Sequence, residues 1–281
     1  MNRSLTDSLA WLAELERLEG DVFVAPPSGR SARMFGGEVA ARALAAAQGT
    51  VSADRAVHVA QAGYLRPGNP SVPLWLRVAR LRDGRAFSQR RVDAEQDGKL
   101  IFTAMFSFHA GAGAFEHGDR MPVVPAPEEL GGVEGWTEAA AVWPQWLLDD
   151  PSVELRPVPA AGANPAGTRA LWYRAAGPVP DDPAGHACRW LYASDLTLVA
   201  SIRLPHERGS RKTWLMTSLN HTVWFHRPFR VDEWQLVVQR SARACDGRGL
   251  ASGKVFTRDG QLVSSLAQEG LASPIPPVYK Q

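Results

Sequence analysis

Apolar residues near the start of the chain recur at the spacing of a helix. Leucines stand three or four positions apart in this stretch, at Leu5, Leu9, Leu12, Leu15 and Leu18. This period predicts a short amphipathic helix, for which Thr6 or Asp7 supplies the N-cap. After Pro26 and Pro27, an alanine-rich run over residues 35–47 predicts a second helix. Its small side chains favour close packing against a sheet.

Residues 57–108 contain four stretches that are typical of strands. They cover 57–65, 74–81, 86–95 and 100–108, and short turn sequences separate them. Two of the turns contain Asp-Gly, at Asp83-Gly84 and at Asp97-Gly98. Asp-Gly favours a tight hairpin, because both central positions of that turn need positive φ. The pattern therefore predicts an antiparallel meander wrapped around the alanine-rich helix, which is α+β layering.

Three turn motifs of the first half recur in the second half in nearly one register. The pairs are separated by 161, 163 and 162 residues, and they are Arg66-Pro67 with Arg227-Pro228, Asp83-Gly84-Arg85 with Asp246-Gly247-Arg248, and Asp97-Gly98 with Asp259-Gly260. A helix-like segment over 191–200 precedes the second set. The chain is therefore predicted to contain two copies of one helix-plus-meander unit.

A proline-rich stretch separates the two copies. Prolines are frequent from residue 122 to residue 165, among glycines and alanines. The predicted organisation is an N-terminal unit over 1–115, a connection over 116–170 and a C-terminal unit over 171–281. Within the connection, Trp146-Leu147-Leu148 indicates a short packed helix.

The charge balance and the cysteines exclude several classes of function. The formal net charge is +2 and the basic residues are scattered, so no nucleic-acid partner is indicated. Cys188 and Cys245 lack the spacing of a zinc site or of a disulfide framework. Acidic residues interrupt the start of the chain, and no apolar run approaches the length of a membrane span. We therefore expect a cytoplasmic protein with no metal, no cofactor and no membrane partner.

Several short motifs follow one another in an order that is characteristic of one family. They are the leucine-rich opening, Phe35-Gly36-Gly37-Glu38-Val39, Tyr64-Leu65-Arg66-Pro67-Gly68, Leu81-Arg82-Asp83-Gly84, Tyr192-Ala193-Ser194-Asp195, Trp224-Phe225-His226-Arg227-Pro228-Phe229 and Gln268-Glu269-Gly270. This set resembles the bacterial and peroxisomal type II acyl-CoA thioesterases. The resemblance implies a double hot-dog fold, with two antiparallel sheets each wrapped around a central helix. It also implies hydrolysis of acyl-CoA to a free acid and CoA. Because paired units of this kind are usually symmetric, we also expect a homodimer or a higher homo-oligomer.

The resemblance also implies a set of catalytic residues, in which an Asp, a hydroxyl residue and a Gln hold the attacking water. The matching positions are Asp195, expected at the start of the second central helix, Ser218 and Gln268. A carboxylate takes a proton from water as it attacks, and the hydroxyl and the amide fix the water in place. The family usually has Thr at the hydroxyl position, so Thr217 stays an alternative through a one-residue shift.

The glycine pair of the first half has an implied role in the same reaction. In the resemblance, backbone N–H groups at the start of a helix meet the thioester oxyanion, and Gly36 and Gly37 are the candidates. Glu38 follows an aromatic residue of its half much as Asp195 follows Tyr192, so it resembles a degenerate partner of the catalytic acid. Glu38 either takes a direct part in catalysis or contributes charge at the helix end.

Two other functions stay open from the sequence. A hot-dog enoyl-CoA hydratase or dehydratase would need Gly-Asp-x-Asn-Pro-x-His, and the nearest stretch, Pro67-Gly68-Asn69-Pro70, lacks the Asp and the His. A non-catalytic acyl-CoA-binding protein would not need all three polar positions. The remaining histidines have no metal-ligand spacing and are expected to be satisfied or surface residues, namely His58, His109, His221 and His226.

Overall fold

The computed structural model describes residues 9–29, 33–111, 113, 115–132, 152–159, 168–206 and 214–274. The longer helices are α1, Gly36–Gln48, and α2, Pro183–Ser194, and three 3₁₀ segments lie at Ala10–Ala13, Pro127–Glu129 and Val199–His206. The strands are β1 (Glu16–Arg17), β2 (Val22–Ala25), β3 (Ala56–Tyr64), β4 (Leu74–Asp83), β5 (Phe87–Gln96), β6 (Lys99–His109), β7 (Val153–Val158), β8 (Thr168–Ala175), β9 (Trp214–Phe225), β10 (Gln235–Cys245), β11 (Arg248–Thr257) and β12 (Leu262–Pro274).

All twelve strands form one antiparallel sheet in the order β1-β2-β4-β5-β6-β3-β9-β12-β11-β10-β8-β7. The order reads the same from both edges once β1 to β6 are matched with β7 to β12, so the two halves are related by a pseudo-twofold axis. The halves meet where β3 pairs with β9, and α1 packs against α2. The repeat predicted from the turn motifs is confirmed, and the fold is the double hot-dog with its two sheets joined edge to edge.

Alanines account for the close packing of α1. Five of them are completely buried, namely Ala40, Ala41, Ala43, Ala46 and Ala47. A core cluster contains apolar side chains from both helices and from both halves of the sheet. The two hot-dog units therefore share one interior, as expected for small side chains at a helix interface.

Pairing registers show which residues of the two halves correspond. Tyr64 pairs with Phe102 at the end of β3, and Phe225 pairs with Ser264 at the end of β9. The pairing of β3 with β6 shifts at His58, and the pairing of β9 with β12 shifts at Leu219. His58 and Leu219 are 161 positions apart, the same separation as the two Arg-Pro motifs. The two halves therefore correspond residue by residue along these strands, down to a shared β-bulge.

The Asp-Gly turns differ from one another in backbone conformation. Both residues have positive φ at Asp97-Gly98 and at Asp246-Gly247, as the predicted hairpin requires. Asp83 and Gly84 are not among the positive-φ residues. Instead, the Asp83 carboxylate accepts hydrogen bonds from Ser88 Oγ at 2.6 Å and from Arg90 Nη2 at 2.7 Å. These bonds act together with a backbone hydrogen bond from the Gly84 N–H to the Phe87 carbonyl over 2.8 Å. The predicted positive φ at Asp83 and Gly84 is therefore wrong, although the place of the turn in the meander is right.

The opening helix is also different from its prediction. The described part, from Leu9 onward, forms one 3₁₀ turn and then β1, which pairs with β2. Leu9 and Leu12 are buried. The spacing of the leucines therefore did indicate residues that pack into the core, but in the described part tertiary contacts bury them without a full helix. Residues 5–8 lie outside the described residues, and so does Trp146-Leu147-Leu148. Both β7 and the start of β8 fall within the expected connection 116–170 and pair with the C-terminal half.

The second central helix begins earlier than predicted. It starts at Pro183 after the N-cap Asp182, whose carboxylate accepts hydrogen bonds from Ala184 N and Gly185 N. It ends at Ser194, so Asp195 is its C-cap and not a residue at its start. Within the described part of the chain, no helix has both the length and the apolar composition required to cross a bilayer.

Candidate active site

The end of α2 meets the beginning of α1 at Asp195. Its carboxylate accepts a hydrogen bond from the backbone N–H of Gly37 in the first turn of α1. The N-cap of α1, Phe35, provides no side-chain cap, so the Asp195 carboxylate takes the place of an anion at this helix N-terminus. Asp195 is thus held at the junction of the two halves.

Glycines at 36 and 37 make this junction possible. A Cβ on Gly36 would lie 2.8 Å from Asp195 Oδ2 and 2.9 Å from Tyr64 Cε1. A Cβ on Gly37 would lie 2.5 Å from the carbonyl oxygen of Tyr192. Because any side chain at either position would collide with these groups, the glycine pair is required for the close approach of α1 to Asp195.

Asp195, Ser218 and Gln268 form one hydrogen-bonded unit. Gln268 Nε2 donates to Asp195 Oδ1 and, over 2.9 Å, to Ser218 Oγ. Ser218 Oγ lies 3.5 Å from the same Asp195 oxygen. The structure thus brings together all three residues that were predicted to hold the water, whereas Thr217 is exposed. Asp195 Oδ1 is engaged by these two side chains, and Oδ2 lies close to Gly36, where a Cβ would stand between it and the Tyr64 ring.

The bulge in β9 explains why Ser218 reaches this unit. Successive residues of a strand point to opposite faces, so Ser218 and His221 would normally diverge. The extra residue Leu219 shifts the pairing with β12 between Glu269 and Gly270, and a bulge of this kind redirects a side chain. Ser218 therefore points to the interior, on the side of His221 and its cross-strand partner Gln268.

Burial raises the pKa of Asp195 from 3.8 to about 6. The hydrogen bonds from Gln268, from the Gly37 N–H and from Ser218 act in the opposite direction, because each stabilises the ionised form. The carboxylate is therefore mostly ionised at neutral pH but is a stronger base than an exposed Asp. This combination suits a general base that takes a proton from water.

His221 lies next to the unit without entering it. Its Nε2 is 2.8 Å from Ser194 Oγ, and Ser194 Oγ donates to the carbonyl of Leu191 over 2.9 Å. Burial lowers the pKa of His221 to about 3, so the ring stays neutral. The hydroxyl proton is used by Leu191, and Nε2 therefore donates to Ser194. His221 is a buried core histidine, bonded through Nε2 alone, since its Nδ1 has no hydrogen-bond partner among the described residues. The sequence prediction of a satisfied or surface residue therefore fits only at Nε2, through which His221 fixes the end of α2 against β9.

Glu38 is in a different environment from Asp195. It is buried, lies 3.5 Å from Arg42 Nε and accepts a hydrogen bond from Ser28 Oγ at 3.2 Å. It also belongs to the first turn of α1, whereas Asp195 follows the last turn of α2. Glu38 is therefore not the degenerate partner of Asp195, and the sequence interpretation was wrong on this point.

Gln48 occupies the position that corresponds to Asp195. Each lies thirteen residues after the N-cap of its helix, Phe35 or Asp182. Gln48 Nε2 donates to the carbonyl of Ala184 over 3.2 Å, in the first turn of α2, just as Asp195 contacts the first turn of α1. The first half thus has a neutral amide where the second half has a carboxylate.

Comparisons with known proteins match both halves of the chain. Residues 24–109 match the profile of the acyl-CoA thioesterase N-terminal domain, and residues 146–271 match the profile named acyl-CoA thioesterase. The chain is 32% identical to acyl-CoA thioesterase 2 of Haemophilus influenzae, over 95% of this chain and 97% of that protein. It is 35% identical to human acyl-coenzyme A thioesterase 8, over 92% and 86%.

A solved structure is similar over the same length. The crystal structure of the acyl-CoA thioesterase II TesB2 from Mycobacterium marinum superposes with a TM-score of 0.82 at 36% identity, over 96% of this chain and 99% of that chain. The similarity spans both hot-dog units. Among the described residues, no group of three or more His, Cys, Asp or Glu side chains is arranged to hold a metal ion.

Proposed function

Because this chain belongs to the acyl-CoA thioesterase family and is a thioester hydrolase acting on acyl-CoA, we propose that Asp195, Ser218 and Gln268 activate the water that attacks the thioester. The observation that carries this proposal is the single hydrogen-bonded unit, in which a buried carboxylate with a raised pKa accepts hydrogen bonds from an amide and a hydroxyl. These are the groups that a positioned water needs.

The first step is attack by water on the carbonyl carbon of the thioester. Asp195 accepts one proton of the water as the water oxygen forms a bond to the carbonyl carbon. The π electron pair of the carbonyl group moves onto the carbonyl oxygen, which becomes the oxyanion. Ser218 and Gln268 fix the direction of the water, which converts a bimolecular encounter into a positioned attack. Neither of them has to ionise.

The second step breaks the carbon–sulfur bond. The oxyanion collapses, the CoA sulfur leaves with the bonding electrons, and the proton held by Asp195 passes to the sulfur. The products are a free acid and CoA, and the carboxylate of Asp195 is restored. One residue thus acts first as a base and then as an acid, for which a pKa near neutrality is suited.

The N-terminus of α1 is proposed to stabilise the oxyanion. Gly37 already donates its N–H to Asp195, so of the two glycines Gly36 is the one we assign to the thioester oxygen. The positive end of the helix dipole favours negative charge at this place. Glu38 takes no part in this step, since its carboxylate is engaged with Arg42 and Ser28.

We also propose that the enzyme self-associates and acts in the cytoplasm. Large apolar side chains such as Trp214, Trp224 and Leu250 are exposed in the single chain, which is typical of surfaces that pair. Cys188 and Cys245 are both free thiols, as expected in a reducing compartment. Light scattering in solution tests the first proposal, since a monomer at micromolar concentration would contradict it.

A thiol-release assay over a panel of acyl-CoA chain lengths tests the catalytic assignment. Asp195→Asn should lower kcat by ~10²–10⁴, the contribution of a general base, while the protein stays folded. Ser218→Ala and Gln268→Ala should each have smaller effects. Because the three act on one water, Asp195→Asn combined with Ser218→Ala should lose far less than the product of the single losses. Multiplicative losses, or an active Asp195→Asn variant, would show that the unit does not activate the water.

A further inference from the structure

Tyr64 has a buried hydroxyl beside the catalytic carboxylate. Its oxygen is shielded from solvent and has no hydrogen-bond partner among the described residues. Burying a hydroxyl without a partner is costly, so such a group calls for an explanation. Packing alone would be served as well by phenylalanine, and a hydroxyl retained at this position is therefore expected to meet a ligand.

The Tyr64 ring and Asp195 flank the same point at the start of α1. A Cβ on Gly36 would lie 3.1 Å from Tyr64 Cζ, the carbon that carries the hydroxyl, and 2.8 Å from Asp195 Oδ2. Burial, and next the charge of Asp195, raise the pKa of Tyr64 well above its ordinary value. The phenol therefore stays protonated and can act as a hydrogen-bond donor at the pH where Asp195 is ionised.

The internal repeat supplies a natural comparison. Phe225 is the residue of the second half that corresponds to Tyr64, since each ends its strand and each stands two positions before the Arg of an Arg-Pro motif. Tyr64 lies beside Asp195 and carries a hydroxyl. In the other half, the residue that corresponds to Tyr64 has the same ring without the hydroxyl, and the residue that corresponds to Asp195 is the neutral Gln48. The hydroxyl is thus present where the neighbouring residue is a carboxylate and absent at the corresponding position of the other half, so packing of the ring does not account for it.

We propose that the Tyr64 hydroxyl donates a hydrogen bond to the carbonyl oxygen of the thioester and to the oxyanion that forms from it, together with the Gly36 N–H. This assignment rests on the water-activating role proposed for Asp195. It places the base on one side of the scissile carbonyl and a neutral donor on the other. It also makes Tyr64 a catalytic residue contributed by the first hot-dog unit to the site of the second.

Tyr64→Phe tests this proposal, because it removes one oxygen atom and leaves the ring in place. The corresponding position of the other half already carries a phenylalanine, Phe225. Loss of one oxyanion donor typically lowers kcat by ~10²–10³, and we expect a loss of at least about tenfold here with KM little changed. Tyr173→Phe is the matched control, since Tyr173 is a second buried tyrosine, on β8. That variant should keep the kcat of the wild type.

Two CoA analogues distinguish an oxyanion donor from a packing residue. A trifluoromethyl ketone analogue forms a tetrahedral adduct, so Tyr64→Phe should weaken its binding by about the same factor as kcat/KM. A thioether analogue has no oxyanion, and its affinity should not change. A kcat within about twofold of the wild type, or equal weakening of both analogues, would overturn the proposal.

The pH profile separates failure of this proposal from failure of the proposed base. A Tyr64 hydroxyl that served only to stabilise Asp195 would, when removed, raise the pH at which kcat/KM falls, and this result would overturn the oxyanion role. An unchanged acid limb with a lowered plateau supports it. If Asp195→Asn stays active in the same assay, the base assignment itself is wrong, whatever Tyr64→Phe does.

Discussion

Replacing Asp195 by Asn should make the fold increasingly more stable than the wild type as the pH rises, while it lowers kcat by ~10²–10⁴. Burial raises the pKa of Asp195 from 3.8 to about 6, which means that the folded protein holds the carboxyl proton more tightly than the unfolded chain. Below about pH 3 the group is protonated in both states and contributes no penalty. As the pH rises through 6, the buried carboxylate ionises and folding stability is lost.

The size of this loss follows from the pKa. One pKa unit corresponds to about 1.4 kcal/mol, so the ionised carboxylate costs about 3 kcal/mol of unfolding free energy once the pH is well above 6. Asn has a similar volume and no charge at any pH. The difference in unfolding free energy between Asp195→Asn and the wild type should therefore grow in favour of the variant by about 3 kcal/mol between about pH 3 and about pH 8.

Urea denaturation of both proteins across this pH range measures the difference. Asp21→Asn is a suitable control, because hydrogen bonds and charge from Arg80 and Arg17 lower the pKa of Asp21. Its replacement should change stability with pH in the opposite direction. The reasoning is refuted if the difference between Asp195→Asn and the wild type is the same at both ends of the range.

Two further predictions concern the carboxylates of Asp195 and Glu38. kcat/KM of the wild type should fall about tenfold per pH unit below about pH 6, because a protonated Asp195 cannot take the proton of the water. The assay measures the loss of thioester absorbance at each pH, and a flat profile down to about pH 4.5 would contradict this prediction. Glu38→Gln should lower the unfolding free energy by about 3–5 kcal/mol, because it removes the partner of the buried Arg42 guanidinium, yet the folded fraction should keep its kcat. A folded Glu38→Gln variant with crippled turnover would give Glu38 the direct catalytic role.

Local patterns were sufficient to predict most of the fold. Strand alternation and Asp-Gly turns led to the meander, and the alanine run led to α1, because these signals depend on neighbours in sequence. The start of α2 was missed although its signal was present, since Asp182 followed by Pro183 is an N-cap followed by the proline that helices favour at their first position. Reading that signal would have placed Asp195 at the end of the helix.

The site was predicted less completely, because its geometry comes from tertiary contacts. Nothing in the residues around Leu219 indicates a bulge, yet the bulge aims Ser218 at Asp195. Tyr64 appeared only as part of a motif, since its nearness to Asp195 depends on how the two halves join. The pairing of Glu38 with Arg42 was readable from their spacing of four on a helix, and it would have argued against a catalytic Glu38.

The pseudo-twofold axis also generates a second site, at the end of α1 and the beginning of α2, and its residues argue that it is inactive. Gln48 replaces the base, and the strand registers place Val57 and Phe106 at the positions of Ser218 and Gln268. The N–H groups at the start of α2 are already taken by the carboxylate of Asp182.

A water at this mirror position would therefore meet the Gln48 amide and apolar side chains in place of a carboxylate base. A thioester oxygen would compete with the Asp182 carboxylate for the N–H groups at the start of α2. We expect one productive site for each chain. Calorimetry with the thioether analogue should give about one bound molecule per chain for the wild type and also for Asp195→Asn, which loses the base but not the pocket. A stoichiometry near two would show that the mirror position still binds acyl-CoA. Residual turnover in Asp195→Asn that disappears when Gln48 is changed to Ala would show that the mirror position still catalyses hydrolysis.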